Sequence, residues 1–390
     1  MSFIPSEVSF LATHQEAIEQ WAREHACTQA SMIADHAAAR TEFGDYGRAV
    51  IELISARRSA AQKFHAPSSS LLMCHESAQQ ATPWQVAAAR AQRLRELCGN
   101  EALVHDATCS IASEGLEAQR AGLRYVGSDL DAARVAMAVH NLAAHRCVRA
   151  DALKPVVPSA DVVIADPARR AGGRRITKVE DLVPPLPDLV AAYPLTPLVI
   201  KCAPGIDYSQ WPGAVTVASV AGAVKETCLY TEQLGGPSRE AWVIKESGEL
   251  ERYTSAEEPP QAQVGEVGRF IIDPDGAVVR AGLVRAYAAR HGLWMLNEHI
   301  AYLTGEEIPP GASGFEVLEA VSMKQLRQVM KRRDAGSLEI LVRGVDVDPD
   351  ALRKKLKLRG SRPYACVIAR LDQGAMAFVC HPRKHYDGDR

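Results

Sequence analysis

The chain has 390 residues, 47% of them hydrophobic and 24% charged, with a formal net charge of −2. At roughly 100–200 residues per domain this length predicts two or three domains, and the balance excludes a disordered chain. No run approaches about 18 consecutive apolar residues and the start lacks a basic-then-apolar leader, so no membrane span is expected and the cytoplasm is the expected compartment.

Residues 1–85 are rich in Ala, Glu, Gln and Arg, and helical spacing over Thr13–Ala37 and Gly47–Gln62 predicts an N-terminal helical region. Thr82-Pro83 reads as a helix start, with threonine as cap and proline at the first helical position, before a helix over Trp84–Leu97. Short apolar runs then follow at 102–106, 124–129, 160–166, 197–202, 214–220 and 227–231, with a helix over Ala132–Ala144. Strands alternating with helices predict a doubly wound, mostly parallel α/β sheet over 86–235, with ligands at the carboxyl ends of the strands. Residues 236–312 read as a bridging α+β segment, with strands at Arg269–Ile272 and Val278–Val279 and a helix over Ala281–His291. Pro309-Pro310-Gly311 reads as a linker. Beyond it, 313–390 reads as a compact α+β unit in the order strand 315–321, helix 323–333, strand 338–343, helix 349–358, strands 365–370 and 375–380.

Four motifs carry the chemistry, three of them at the ends of apolar runs. Asp106-Ala-Thr-Cys-Ser-Ile-Ala112 is a turn of small residues in which backbone N–H groups can approach a ligand closely. Asp129 ends the second run, 23 residues later, where an acid can take both hydroxyls of a ribose. Asp151 follows the Arg149-Ala150 dipeptide, where a carboxylate can accept from an adenine amino group. Asp166-Pro167-Ala168-Arg169-Arg170 ends the 160–166 run.

In this order the motifs resemble the class I S-adenosylmethionine-dependent methyltransferases, over about residues 85–235. The resemblance implies a Rossmann-like fold and S-adenosylmethionine as cofactor. It implies Asp106, Thr108, Ser110 and Ala112 near the methionine part, Asp129 at the ribose, Asp151 at the adenine, and Asp166 with Pro167 at the methyl-transfer site. One departure stands out. The family usually has glycines two, four and six places after the first acid, where this chain has Thr108, Ser110 and Ala112. Their Cβ atoms narrow the turn and disfavour positive φ, so weakened or lost cofactor binding is expected.

Further motifs recur in one order: Glu76-Ser-Ala-Gln-Gln-Ala-Thr82, Lys201-Cys-Ala-Pro-Gly-Ile-Asp207, Asp273-Pro-Asp-Gly-Ala277, Arg280-Ala-Gly-Leu283, Ala301-Tyr-Leu-Thr-Gly305 and Arg343-Gly-Val-Asp-Val-Asp-Pro349. Together they resemble the bacterial methyltransferases with a C-terminal THUMP-like domain, over about residues 70–390. That resemblance implies an RNA partner, structured RNA such as tRNA or rRNA. Asp166-Pro-Ala-Arg169 is also similar to the matching motif of RNA 5-methyluridine methyltransferases. There a nucleophilic cysteine follows the next strand, and Cys202 stands in that place here, with Lys201 beside it to lower the thiol pKa.

The charge distribution fits a polyanion partner. Residues 313–390 hold 16 Lys and Arg against 10 Asp and Glu, on an otherwise acidic chain. Lys331, Arg332, Arg333, Arg353 and Lys354 are candidate phosphate contacts, and so are Arg169, Arg170, Arg174 and Arg175 beside the transfer motif. The nine cysteines are scattered without a CxxC pair and read as reduced thiols, and no histidine has ligand spacing, so no metal is expected. Three rivals stay open: an RNA-binding protein with a degenerate methyltransferase fold, a small-molecule methyltransferase, and a protein methyltransferase. The oligomeric state is not legible. A nicotinamide enzyme is disfavoured, because no GxGxxG follows a strand.

Overall fold

The computed structural model describes residues 3–143, 146–168, 170–171, 174–175, 181–371 and 374–386; the side chains of 170, 171, 174 and 175 are not described. The chain divides into two compact units, the first holding Met1–Gly236 with Ile244–Leu250, the second Pro237–Val243 with Glu251–Arg390.

In the first unit, helices α1 (Pro5–Thr13), α2 (Gln15–Glu24), α3 (Met32–Phe43), α4 (Gly47–Ser59) and α5 (His75–Gln80) form the N-terminal layer. The single periodic stretch read over 13–37 is broken between α2 and α3. Their apolar stripes bury Leu11, Ile18, Leu53 and Ile54 against Met137 of α8 (Ala132–Asn141) and Ile111 of the first motif. Helix α6 (Trp84–Cys98) follows, then strand β1 (Leu103–Asp106), helix α7 (Ser113–Arg120), strand β2 (Arg124–Asp129), α8 and strand β3 (Cys147–Arg149). Strand β4 (Val162–Ala165), helix α9 (Leu186–Ala192), strands β5 (Leu198–Cys202), β6 (Val215–Val220) and β7 (Ala223–Tyr230) complete the unit. The strand order is β6-β7-β5-β4-β1-β2-β3. Strands β1 to β5 run parallel, and β7 is antiparallel to both β5 and β6. The central strands are buried along their whole length because helices cover both faces, which is why they read as unbroken apolar runs. The order reverses between β1 and β4, and that switch point places the loops after β1, β2, β4 and β5 around one crevice.

Two strands, β8 (Arg239–Ile244) and β9 (Leu250–Thr254), lie in the segment where the chain passes between the units. The second unit continues with β10 (Phe270–Ile272), helices α10 (Gly276–Arg280) and α11 (Val284–Arg290), then β11 (Trp294–Met295) and β12 (Leu303–Gly305). Val278 and Val279, expected in a strand, lie in α10: Asp275 caps that helix by accepting from Ala277 N at 2.7 Å, and the cap overrides β-branched propensity. Then come β13 (Ser313–Ser322), α12 (Leu326–Arg332), β14 (Ala335–Arg343), α13 (Pro349–Leu356), β15 (Arg362–Leu371), β16 (Gly374–Cys380) and β17 (Lys384–His385). The sheet order is β11-β12-β10-β13-β16-β15-β14, with β17 on β13. Leu326, Val329, Met330 and Leu356 of α12 and α13 pack with Leu338, Ile340 and Ile368 of the sheet. Phe315, Ala365, Val367 and Phe378 point the other way, into a core with Ile271, Ile300 and Tyr302. The alternation along β15 is the two-residue period of a strand buried on both faces. Among the described residues no helix is long and apolar enough to cross a membrane.

Candidate cofactor and methyl-transfer site

The turn after β1 is set by its own backbone. Ser110 has φ 51° and Ala112 has φ 61°, both in the left-handed region that glycine enters without cost. Two of the positions where the family usually has glycine thus keep a glycine-like path without glycine, at roughly 1 kcal/mol of strain each. Nor do the side chains all crowd the crevice. Ala112 is fully buried in the core with Val104 and Tyr125. Thr108 Oγ1 accepts from Asp166 N at 2.6 Å, tying the β1 turn to the β4 turn. Ser110 Oγ is buried with no hydrogen-bond partner among the described residues.

The three acids hold this geometry. Asp106, buried at the end of β1, accepts from Thr108 N at 3.1 Å and from Tyr125 Oη at 3.0 Å. Burial pushes its carboxyl up to about 7, against the pull of Lys201 and with the repulsion of Glu114. Asp129 accepts from Ser110 N at 3.0 Å and from Asp131 N at 2.9 Å. Asp151 is half-buried and accepts from Leu153 N at 3.0 Å. Leu130, next in the chain after Asp129, is 66% exposed, an apolar surface with no signal in the sequence pattern.

Asp166 stands at the other end of the crevice, above a buried ionic network. Lys201 Nζ lies 2.9 Å from Asp166 Oδ2 and 3.1 Å from Glu114 Oε1, and it donates to Thr82 Oγ1. Glu114 is held in turn by the fork of Arg90, with Nε at 3.0 Å and Nη2 at 3.3 Å. Arg90 also pairs with Glu226 and donates to Cys228 Sγ at 3.2 Å. Burial alone would raise the Glu114 carboxyl; Arg90 and then Lys201 outweigh it and bring it down to about 2. Burial likewise opposes the charge on Lys201, but Asp166 and Glu114 raise its pKa. Every charge here is matched, as a buried network must be.

Most of this network is not legible as a site in the sequence. Thr82 is not the cap expected of it: Pro83 precedes α6 without a side-chain cap bond, and the Thr82 hydroxyl serves Lys201 instead. Lys201 is expected only as a neighbour of Cys202. The available signal is a lysine inside the apolar run Pro197–Cys202, since an ammonium enters a sheet core only when partnered. Arg90, Glu114 and Glu226 give the same weak sign in apolar surroundings.

The expectation for Cys202 needs correction. Neighbouring strand residues face opposite sides of the sheet. Lys201 turns to Asp166, while Cys202 is fully buried in the cluster of Ala107, Val163, Leu186 and Ile206. The thiol sits as a small apolar residue and does not share a pocket with the ammonium.

Of the basic candidates, Arg169 lies outside the described residues, as do the side chains of Arg170, Arg174 and Arg175, whose backbones form a two-strand ribbon. In the second unit, Arg332 and Arg333 both pair with Glu319, at 2.9 Å and 2.7 Å, while Lys331 is exposed on the same helix. Arg353 pairs with Asp350 and donates to Leu338 O at 3.2 Å. Arg353 and Lys354 line a groove of about 970 Å³ together with Lys357, Ser337 and Tyr364. Tyr364 belongs to the core beneath this groove and donates its hydroxyl to Arg333 O at 3.2 Å.

Comparison with known proteins accords with this geometry. Residues 312–382 match the family model described as THUMP domain-like. Two proteins of Mycobacterium tuberculosis, each described as an uncharacterised S-adenosylmethionine-dependent methyltransferase, are 46% identical to this chain over 366 residues, covering 88% of it and 100% of their own length. The solved structure of a methyltransferase candidate from Porphyromonas gingivalis superposes with a TM-score of 0.72 at 19% identity, over 98% of this chain and 99% of that one, and so shares the fold. With this degree of identity over nearly its whole length, the chain belongs to the family of S-adenosylmethionine-dependent methyltransferases that carry a C-terminal THUMP-like domain.

Proposed function

We propose that this methyltransferase modifies structured RNA, tRNA or rRNA, in the cytoplasm, and that the crevice after β1, β2 and β4 is where it does so. The observation that carries the RNA reading is the THUMP-like match over 312–382 on a sequence segment with a surplus of Lys and Arg. Lys354 and Lys357 on the groove, with Lys355 exposed next to them, suit a phosphate backbone.

In the crevice, we assign the backbone of Thr108–Ala112 to the methionine part of the cofactor, Asp129 to the ribose hydroxyls, and Asp151 with Leu130 to the adenine. When bound, S-adenosylmethionine supplies a methyl group on a positively charged sulfur. Asp166 and Pro167 then border the acceptor. Lys201 fixes one oxygen of the Asp166 carboxylate and so sets the orientation of that carboxylate beside the acceptor. Orientation of acceptor and methyl group supplies most of the rate, and the buried network under Asp166 keeps that orientation rigid.

The test is transfer of labelled methyl from S-adenosylmethionine to bulk tRNA, ribosomal RNA, protein extract and small-molecule extract. Label in an RNA fraction, lost in Asp166→Ala with cofactor affinity kept, is expected. Label confined to protein or small molecules overturns the RNA reading.

A further inference from the structure

Two of the nine thiols meet at the cofactor turn. Cys109 lies between Thr108 and Ser110, and Cys147 begins β3, the edge strand of the sheet. They come together over Gly127, the β2 residue in register with Cys147. A Cβ built on Gly127 would lie 2.9 Å from Cys109 Sγ and 3.0 Å from Cys147 Sγ. Only a residue without a side chain leaves both sulfurs that space.

The pair is unequal. Cys109 is buried, and its thiol is pushed up by the hydrogen bond to Cys147 and by burial. Cys147 is half-buried, and its thiol is lowered by accepting that hydrogen bond. Cys147 is therefore the sulfur that ionises first and meets solvent, and Cys109 is the one held in reserve.

We propose that Cys109 and Cys147 form a reversible disulfide, with a peroxide as oxidant, that loosens the hold on the cofactor. The inference rests on the reading that the 106–112 turn holds S-adenosylmethionine. The Cys147 thiolate attacks a peroxide oxygen; the O–O bond breaks, leaving a sulfenic acid on Cys147 and a hydroxide that becomes water. The Cys109 thiol then attacks that sulfur. The S–S bond forms, the S–O bond breaks, and hydroxide departs with the Cys109 proton as a second water. Two thiols lose two electrons, and one hydrogen peroxide is reduced to two waters.

The effect on the turn follows from its bonds. A disulfide needs its sulfurs at about 2.05 Å, well inside hydrogen-bonding distance, so Cys109 must move toward β3. Its own N–H is bonded to Ser128 O at 2.8 Å, its carbonyl accepts from Ala112 N at 2.7 Å, and the next N–H is bonded to Asp129. Movement of Cys109 pulls the Ser110 amide away from the ribose acid.

The experiment uses the full chain with hydrogen peroxide. Non-reducing peptide mapping should find a Cys109–Cys147 link. Calorimetry with S-adenosylmethionine should show at least tenfold weaker binding after oxidation, restored by dithiothreitol. Cys147→Ser should bind like the reduced wild type and ignore peroxide. Absence of that link, or a link with unchanged affinity, overturns the proposal. Should the reduced chain not bind S-adenosylmethionine at all, the reading of the turn fails. The disulfide is then decided by the peptide map and by hydrogen exchange at 107–113: a link with altered exchange upholds it, and no link ends it.

Discussion

Lys201 shows what one side chain does at this site. Its ammonium has two carboxylates within 3.1 Å and is 4% exposed, so water compensates almost none of its charge. Replacement by methionine leaves Glu114 with Arg90 alone and Asp166 without its fixed oxygen. Breaking one partner out of such a network costs about 3–5 kcal/mol. Lys201→Met should lose that much stability by urea denaturation; a loss below about 1 kcal/mol would mean the pairs do not form in solution. Asp106 gives a pH-dependent counterpart. Its folded pKa, about 7, lies above the unfolded value. Below the unfolded pKa both states are protonated and the group costs nothing; as pH rises the unfolded chain ionises first, and the destabilisation is complete above about pH 7. Asp106→Asn removes this penalty, so the variant should gain stability relative to wild type between pH 4 and pH 8. A parallel pair of stability curves over that range would refute the shifted carboxyl.

At the scale of elements, the turn from Asp106 to Ala112 invites the next test. Ser110 is strained by its positive φ and carries a buried hydroxyl without a described partner. Ser110→Gly relieves both, so it should raise the melting temperature by a few degrees, at about 1–2 kcal/mol, and keep or tighten S-adenosylmethionine binding. Weaker binding would show that the hydroxyl itself touches the cofactor. The strands around this turn are largely legible in the sequence because both faces are covered: the apolar runs at 102–106, 124–129 and 197–202 have nearly the bounds of β1, β2 and β5. β3 is not, since Cys-Val-Arg offers three residues and half-exposed sides. β8 and β9 are hidden among Gly and Pro. The acids at 106, 129 and 166 can be read because each ends a run, whereas Asp151, after the short β3, follows none. The cations that support them cannot, because burial of a charge depends on partners far away in sequence, as Arg90 on Glu226.

For the molecule as a whole, charge and apolar pattern are divided between its parts. The order of elements in 313–390 follows the sequence pattern closely, because Leu326, Val329 and Met330 fix one face of α12 while apolar residues recur through β14 to β16. Which cations are available can be seen only in three dimensions: Arg332, Arg333 and Arg353 have carboxylate partners, whereas Lys354, Lys355 and Lys357 have no ion pair among the described residues. Changing these three lysines to glutamate should weaken RNA binding uniformly across sequences. It should also flatten the plot of log affinity against log salt by about 0.7–0.9 for each phosphate that is no longer neutralised. An unchanged slope would place the nucleic acid elsewhere.

Asn141, at the end of α8, accepts from Leu72 N at 2.7 Å and donates to the carbonyls of Leu72 and Ile111, each at 3.0 Å. Its amide copies a peptide group and so splices the amino-terminal helical layer to the turn after β1. That turn is thereby wired to the helical layer packed on it: an anchor or a bulky fusion pulling on the layer would register as tension at Ile111.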